Sequence, residues 1–220
     1  MAAAVAAGPF GIATGAYVAE RDDWAAAIGR ARSERWRWLE LTAMRGRLTP
    51  LLRFLAGDAS TLAVFERVSV HAPAAMIETP AEAIASLEPL GLDVVLHPDV
   101  YGPEPACERL GARAVFENMD VTKEFGRAGD DLADVFDRFP KAGLCLDVAH
   151  VWTNDPSLSL GHELLDALGG RLRQLHVSGI EADGTHRPTT PADLALYEPL
   201  LARCAHVPWL LETELVEGTP

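Results

Sequence analysis

At 220 residues, 49% of them hydrophobic, the chain has the size and apolar content of one folded domain with a full core. Its 32 acids against 19 Lys and Arg leave a formal charge of −13, which repels polyanions and makes long nucleic acid a poor partner. Cys107, Cys145 and Cys204 form no C-x-x-C pair, so neither a disulfide frame nor a thiolate zinc site is indicated and a reducing, cytoplasmic setting is expected.

The start MAAAVAAGPF is small and apolar but lacks a basic flank, so it does not read as a signal peptide. No apolar run approaches the roughly 18 residues of a membrane span. A first strand is expected near 10–16 (FGIATGA), followed by an acid-led amphipathic helix over Asp22–Arg35 and a second strand at 37–42 (RWLELT). Residues 48–64 read as a broken helix, and 67–72 as the third strand. Thr79-Pro80 caps a helix that leads to a fourth strand at 93–98, and the fifth lies at 114–119. Helices over Asp130–Phe139 and Leu158–Leu168 flank a sixth strand at 144–149. The seventh strand falls at 173–178, a helix opens at Thr190-Pro191 and runs to about Ala205, and the eighth strand falls at 208–213. Gly91, Gly111, Gly143 and Gly169-Gly170 stand where helices hand over to strands.

This alternation predicts an α/β fold of the (β/α)8 TIM-barrel type, one domain over 1–220. The later strands are continuous apolar runs, as expected of strands buried on both faces. Only Leu215–Pro220 follow the eighth strand, so the barrel is shortened, with its eighth helix missing or replaced. That flank is expected to be bare, or covered by the Ala-rich amino terminus or by a second subunit, the last making a homo-oligomer.

Imidazoles and carboxylates recur where these strands stop: VSVHAP (His71), VVLHPD (His97), VFENMD (Glu117), LCLDVAH (Asp147, His150), RQLHVSG (His176) and WLLETE (Glu212). His186 follows in the loop after His176. The carboxyl ends of barrel strands face one mouth, so each strand delivers a group to a common centre. Mixed imidazole nitrogen and carboxylate oxygen suits divalent ions of borderline softness. Glu117, Asp147, His176 and Glu212 form one candidate ligand set. His71 and His97 form a second with Glu117 as bridge, and His150 and His186 lie near a third position, with Asp183 the nearest acid. Taken singly, such a His or acid is more often a hydrogen-bonded structural residue or a helix cap than a ligand. Their recurrence over six successive strands is what points to metal. His162 and His206 read as surface or packing residues.

Arg45, Arg47, Arg187 and Lys123 follow strands and are candidates to hold a phosphate, against the alternative of solvated loop cations. Trp152 is a candidate wall for a sugar ring, whereas Trp24, Trp36 and Trp38 are expected to pack the first helix on the barrel. The only lysines are Lys123 and Lys141, neither at a strand end, which disfavours Schiff-base chemistry. No nucleophile elbow or G-x-G-x-x-G loop occurs.

The series VHAP, LHP, FEN, LDVAH, LHVSG…DGTH and LETE resembles the xylose isomerase-like barrel superfamily, over strands three to eight. That superfamily includes sugar phosphate isomerases and epimerases and endonuclease IV-type phosphodiesterases. The resemblance to the first branch implies one divalent ion (Mn, Mg or Co) held by Glu117, Asp147, His176 and Glu212. Resemblance to the second adds His71, His97, His150 and His186 and implies three zinc ions. The hydrolase motif carries an Asp two residues before its last His; Gly184 stands there, with the acid displaced to Asp183.

A metal-dependent isomerase or epimerase of a small sugar or sugar phosphate is the leading expectation, with Glu117 and Glu212 exchanging a proton across a metal-stabilised enediolate. A multinuclear zinc phosphodiesterase, of the endonuclease IV type or for a smaller diester, is the alternative. An Fe(II) barrel oxygenase and a non-catalytic metal-binding module also stay open.

Overall fold

Eight short strands run parallel and close on one another, as the spacing of the apolar runs predicts. The computed structural model describes residues 9–21, 23–43, 48–73 and 79–216. In chain order the barrel strands are β1 (Phe10–Ala13), β2 (Trp38–Thr42), β3 (Arg67–His71), β4 (Asp93–Leu96), β5 (Ala114–Glu117), β6 (Gly143–Asp147), β7 (Leu172–Val177) and β10 (Trp209–Leu211). Each pairs with the next, and β10 pairs with β1. After β7 the chain makes an antiparallel hairpin of β8 (Gly179–Ile180) and β9 (His186–Arg187). His186, expected in a loop, therefore sits on a short strand, where ladder bonds fix its backbone.

The helices are α1 (Trp24–Ser33), α2 (Leu48–Asp58), α3 (Pro80–Leu87), α4 (Pro98–Tyr101), α5 (Gly129–Arg138), α6 (Val148–Asn154), α7 (Ser159–Leu168) and α8 (Pro191–Arg203). The Thr-Pro starts act as the sequence suggests. Thr79 with Glu82, and Thr190 with Asp193, form reciprocal capping boxes ahead of α3 and α8. The second helix is broken as expected, α2 giving way to a 3-10 segment over Ala59–Val64.

Alternation along each strand creates the site. In β2, Leu39 and Leu41 join the main core under the helices, which turns Glu40 and Thr42 into the barrel. Val95, Val115 and Cys145 pack as a separate cluster inside the barrel. Two residues past them come His97, Glu117 and Asp147, and two past Ser69 and Gln174 come His71 and His176. Each reactive group thus sits one layer above a lower inward layer, at the carboxyl rim.

Two boundaries depart from expectation, and the missing eighth helix agrees with it. β1 stops at Ala13, because Thr14 Oγ1 accepts the Thr42 N–H (2.9 Å) and the Gly15 N–H turns to Thr42 Oγ1 (3.2 Å). β6 stops at Asp147, whose Oδ1 accepts the His150 N–H (2.7 Å) and caps α6. His150 accordingly projects from a helix turn rather than a strand end. Between Leu211 and Val216 no helix forms; instead the chain folds back on Thr189, which donates to Glu214 O (3.0 Å) and accepts from Val216 N–H (2.9 Å). No helix among the described residues is long and apolar enough to cross a membrane.

Candidate metal centre

At the rim, His71, His97, Glu117, His150, His186 and Glu212 line one cavity of about 610 Å³, and Asp147 and His176 are buried beside it, outside its lining. One ligand atom from each of Glu117, Asp147, His176 and Glu212 lies within 4.8 Å of the others, and the same holds for His71, His97 and Glu117. Glu117 belongs to both sets and its two oxygens divide between them. Oε2 lies 3.2 Å from His71 Nε2 and 3.3 Å from His97 Nε2. Oε1 lies 2.8 Å from His176 Nδ1, which is also 3.1 Å from Glu212 Oε1.

Hydrogen placement tests whether a cation fits. His71 Nδ1 lies 2.8 Å from the Ala72 carbonyl, and His150 Nδ1 lies 2.9 Å from the Asn118 carbonyl. A carbonyl only accepts, so both rings carry hydrogen on Nδ1. Their Nε2 atoms then confront carboxylate oxygens and, for His150, a third imidazole. His71 Nε2 faces Glu117, while His150 Nε2 faces His186 Nε2 at 3.4 Å and Asp147 Oδ2 at 3.8 Å. Lone pairs set against one another in this way repel unless a proton or cation lies between them. Asp147 Oδ2 is buried with no hydrogen-bond partner among the described residues. The donor set is all imidazole and carboxylate and fits divalent Zn, Mn, Co or Fe.

The electrostatics agree. Burial opposes charge on Glu117, but His176, His71 and His97 overcome it and hold the carboxyl well below its usual range. Burial, with the Glu212 and Glu117 carboxylates, pushes Asp147 up to about 6 against the pull of His150. Burial also works against charge on His71, yet Glu117 outweighs it and raises that ring to about 9. In His97 burial wins and the value falls. Buried Cys145 adjoins Glu117 and His176, but burial raises its thiol, so it stays protonated.

The remaining candidates fare differently. Arg45 and Arg47 lie outside the described residues. Arg187 lines the cavity, but its guanidinium is held by Asp193 (2.7 and 2.8 Å) and Glu181 (2.9 Å). Lys123 pairs with Asp99 at 3.0 Å. Trp152 is half-buried against the core and is not among the residues lining the cavity. It rides on α6, which starts directly after Asp147. Asp183 is exposed and accepts the Thr185 N–H within its own turn.

Three residues escaped the strand-end pattern. Glu40, fully buried in β2, approaches His176 from below; its signal was an acid between two leucines in an apolar strand. Asn118 follows Glu117 and binds the main chain of Asp147. Asp120 lines the cavity, and its Oδ1 would stand 3.1 Å from a Cβ placed on Gly184. It thereby occupies space that a side chain at position 184 would enter.

No family profile matches the sequence, and no curated protein matches it. Solved structures do. A D-tagatose 3-epimerase-like protein is 15% identical, with 93% of this chain and 90% of that one covered and a TM-score of 0.64. Endonuclease IV of Thermus thermophilus is 18% identical, with 96% and 94% covered and a TM-score of 0.60. A xylose isomerase domain protein of Planctomyces limnophilus is 12% identical, with 84% of each chain covered and a TM-score of 0.51. The architecture is that of a parallel α/β barrel with its polar groups at the carboxyl rim. Within that class, the fold is the closed eight-stranded TIM barrel that these solved structures share.

Proposed function

We propose that the chain is a metal-dependent hydrolase of a small phosphodiester, whose rim donors would hold more than one cation. The observation that carries this reading is the division of Glu117, with one oxygen against His71 and His97 and the other against His176. His71, His97 and Glu117 would hold one cation, and Glu117, Asp147, His176 and Glu212 a second. His150 and His186, with Asp147 Oδ2 beside them, would serve a third. Cations bound there supply Lewis acidity, neutralising phosphoryl oxygens and acidifying water.

The chain's own residues do the rest. Glu117 is 1% exposed and locked by imidazoles on both oxygens, so it acts as a spacer between ligand sets. Glu212, with a side chain 18% exposed, borders the cavity and can receive a proton from the attacking water. A formal charge of −13 favours a small substrate over a duplex.

A second reading, epimerisation or isomerisation of a small sugar or sugar phosphate, draws support from the likeness to the D-tagatose 3-epimerase-like fold. It requires Glu117 to exchange a proton with substrate, and the enclosure of both its oxygens weighs against that.

Metal analysis of protein prepared without added metal, paired with assays on bis(p-nitrophenyl) phosphate and on ketohexoses, tests the choice. Several zinc ions per chain with diester cleavage support hydrolysis. A single manganese, magnesium or cobalt ion with sugar epimerisation overturns it in favour of the second reading. Iron with oxygen uptake overturns both in favour of an oxygenase.

A further inference from the structure

We propose that Glu40 is a positioning residue of the metal centre, which holds the His176 ring from beneath so that Nδ1 is presented to the cation. This rests on reading the rim cluster as a metal centre. It adds a residue from the layer below the ligands, outside the cavity lining.

Glu40 is fully buried in the barrel. Its Oε2 accepts from Ser69 Oγ (2.9 Å) and Gln174 Nε2 (2.7 Å), on strands on either side of the barrel interior. Those two donors fix the carboxylate and leave Oε1 with no hydrogen bond, 3.0 Å from His176 Nε2, and Gln174 Nε2 lies 3.2 Å from the same ring nitrogen. The imidazole is therefore held between acids: Glu117 and Glu212 at Nδ1 and Glu40 at Nε2. A ring that binds a cation through Nδ1 carries its hydrogen on Nε2. A carboxylate there fixes the tautomer, stops rotation and strengthens the donor.

The other imidazoles are oriented differently. His71 and His150 are steered by main-chain carbonyls, and His97 Nδ1 is 3.9 Å from Asp99. Only at His176, among these four, does a buried carboxylate stand within hydrogen-bonding distance of the far nitrogen, with the Gln174 amide beside it at 3.2 Å. Its role can thus be removed by substitution without moving the backbone. A buried carboxylate is tolerated only when its charge is matched, and a cation-bound imidazolium-like ring supplies that match.

Glu40 also lies within 4.8 Å of ligand atoms on His71, His176 and Glu212, so direct ligation is the rival role. Cobalt(II) binding to the full chain separates them. Glu40→Gln keeps the shape and an acceptor for Nε2–H but removes the charge. We expect its cobalt dissociation constant to rise about tenfold or more, with the d–d absorption band unchanged because the ligand set is intact. Glu40→Asp should recover part of the affinity. Ser69→Ala, which loosens Glu40 without removing it, should weaken binding in the same direction and by less. Wild-type affinity in folded Glu40→Gln overturns the proposal, as does an altered d–d band, which would make Glu40 a ligand. If Glu40→Gln does not fold, unchanged affinity in Ser69→Ala overturns it. Wild-type protein that binds no cobalt or other divalent ion overturns the metal centre itself and this role with it.

Discussion

Asn118 grips the main chain of Asp147 from both sides: its Nδ2 donates to the Asp147 carbonyl at 3.0 Å, and its Oδ1 accepts the Asp147 N–H at 2.8 Å. The Asn118 carbonyl meanwhile takes His150 Nδ1–H at 2.9 Å. One buried amide thereby locks Asp147, and its own carbonyl orients His150, beside Glu117 in the chain. Asn118→Ala removes two hydrogen bonds to the Asp147 main chain and takes the side-chain acceptor from its N–H, and the cost is expected to be about 1–3 kcal/mol. Urea unfolding of the chelator-treated protein measures it. A loss below ~0.5 kcal/mol would show that the clamp is dispensable.

His71→Ala and His97→Ala each remove one imidazole from Glu117 Oε2. Under hydrolysis both variants should lose bound metal and at least a hundredfold in diester cleavage, on the order of 3 kcal/mol of transition-state stabilisation. Under epimerisation either loss would be mild. Glu212→Gln should abolish turnover under both readings, and metal content with steady-state rates distinguishes the cases.

Restoring an acid at position 184 should not restore a ligand. Gly184 has φ +86, and a Cβ there would stand 3.0 Å from Thr122 Cγ2 and 3.1 Å from Asp120 Oδ1. Asp120 is itself fixed by the Thr122 N–H at 2.7 Å and the Thr122 hydroxyl at 2.5 Å. Gly184→Asp is expected to cost about 1–2 kcal/mol in backbone strain, with like-charge repulsion added, and to leave metal stoichiometry unchanged. An additional bound ion in that variant would refute this account of the third position.

Protons and cations compete for the centre, and the sign is readable. His71 is raised from 6.5 to about 9, so the folded state binds its proton more tightly than the unfolded chain does. That stabilisation is complete below pH 6.5 and is lost as pH rises through about 9. Asp147 has the same sign lower down, complete below 3.8 and lost through about 6. His97 is lowered, so its opposite contribution is finished by pH 6.5. Chelator-treated protein should therefore lose thermal stability from pH 6.5 to 9, whereas metal-loaded protein should hold or gain it as protons leave the ligands. Parallel thermal melts with and without zinc check this; a rising midpoint in the chelated series would contradict it.

The order of residues was enough to specify the barrel and the groups presented at its rim. Eight apolar runs with turn chemistry between them leave few other ways to bury both strand faces, and period-two alternation sends His71, His97, Glu117, Asp147 and His176 inward together. Local signals also carried the caps at Thr79 and Thr190. Which atom faces which was fixed only when the chain folded. That Glu117 divides its oxygens, that Gln174 reaches Glu40 across 134 residues of chain, and that Asp120 fills the space above Gly184 all follow from strand register and barrel closure. Folding also turned Trp152 toward the core and occupied Arg187 with Asp193. These are contacts between groups remote in sequence. A linear pattern carries the period of each strand but not the angle at which one strand meets another.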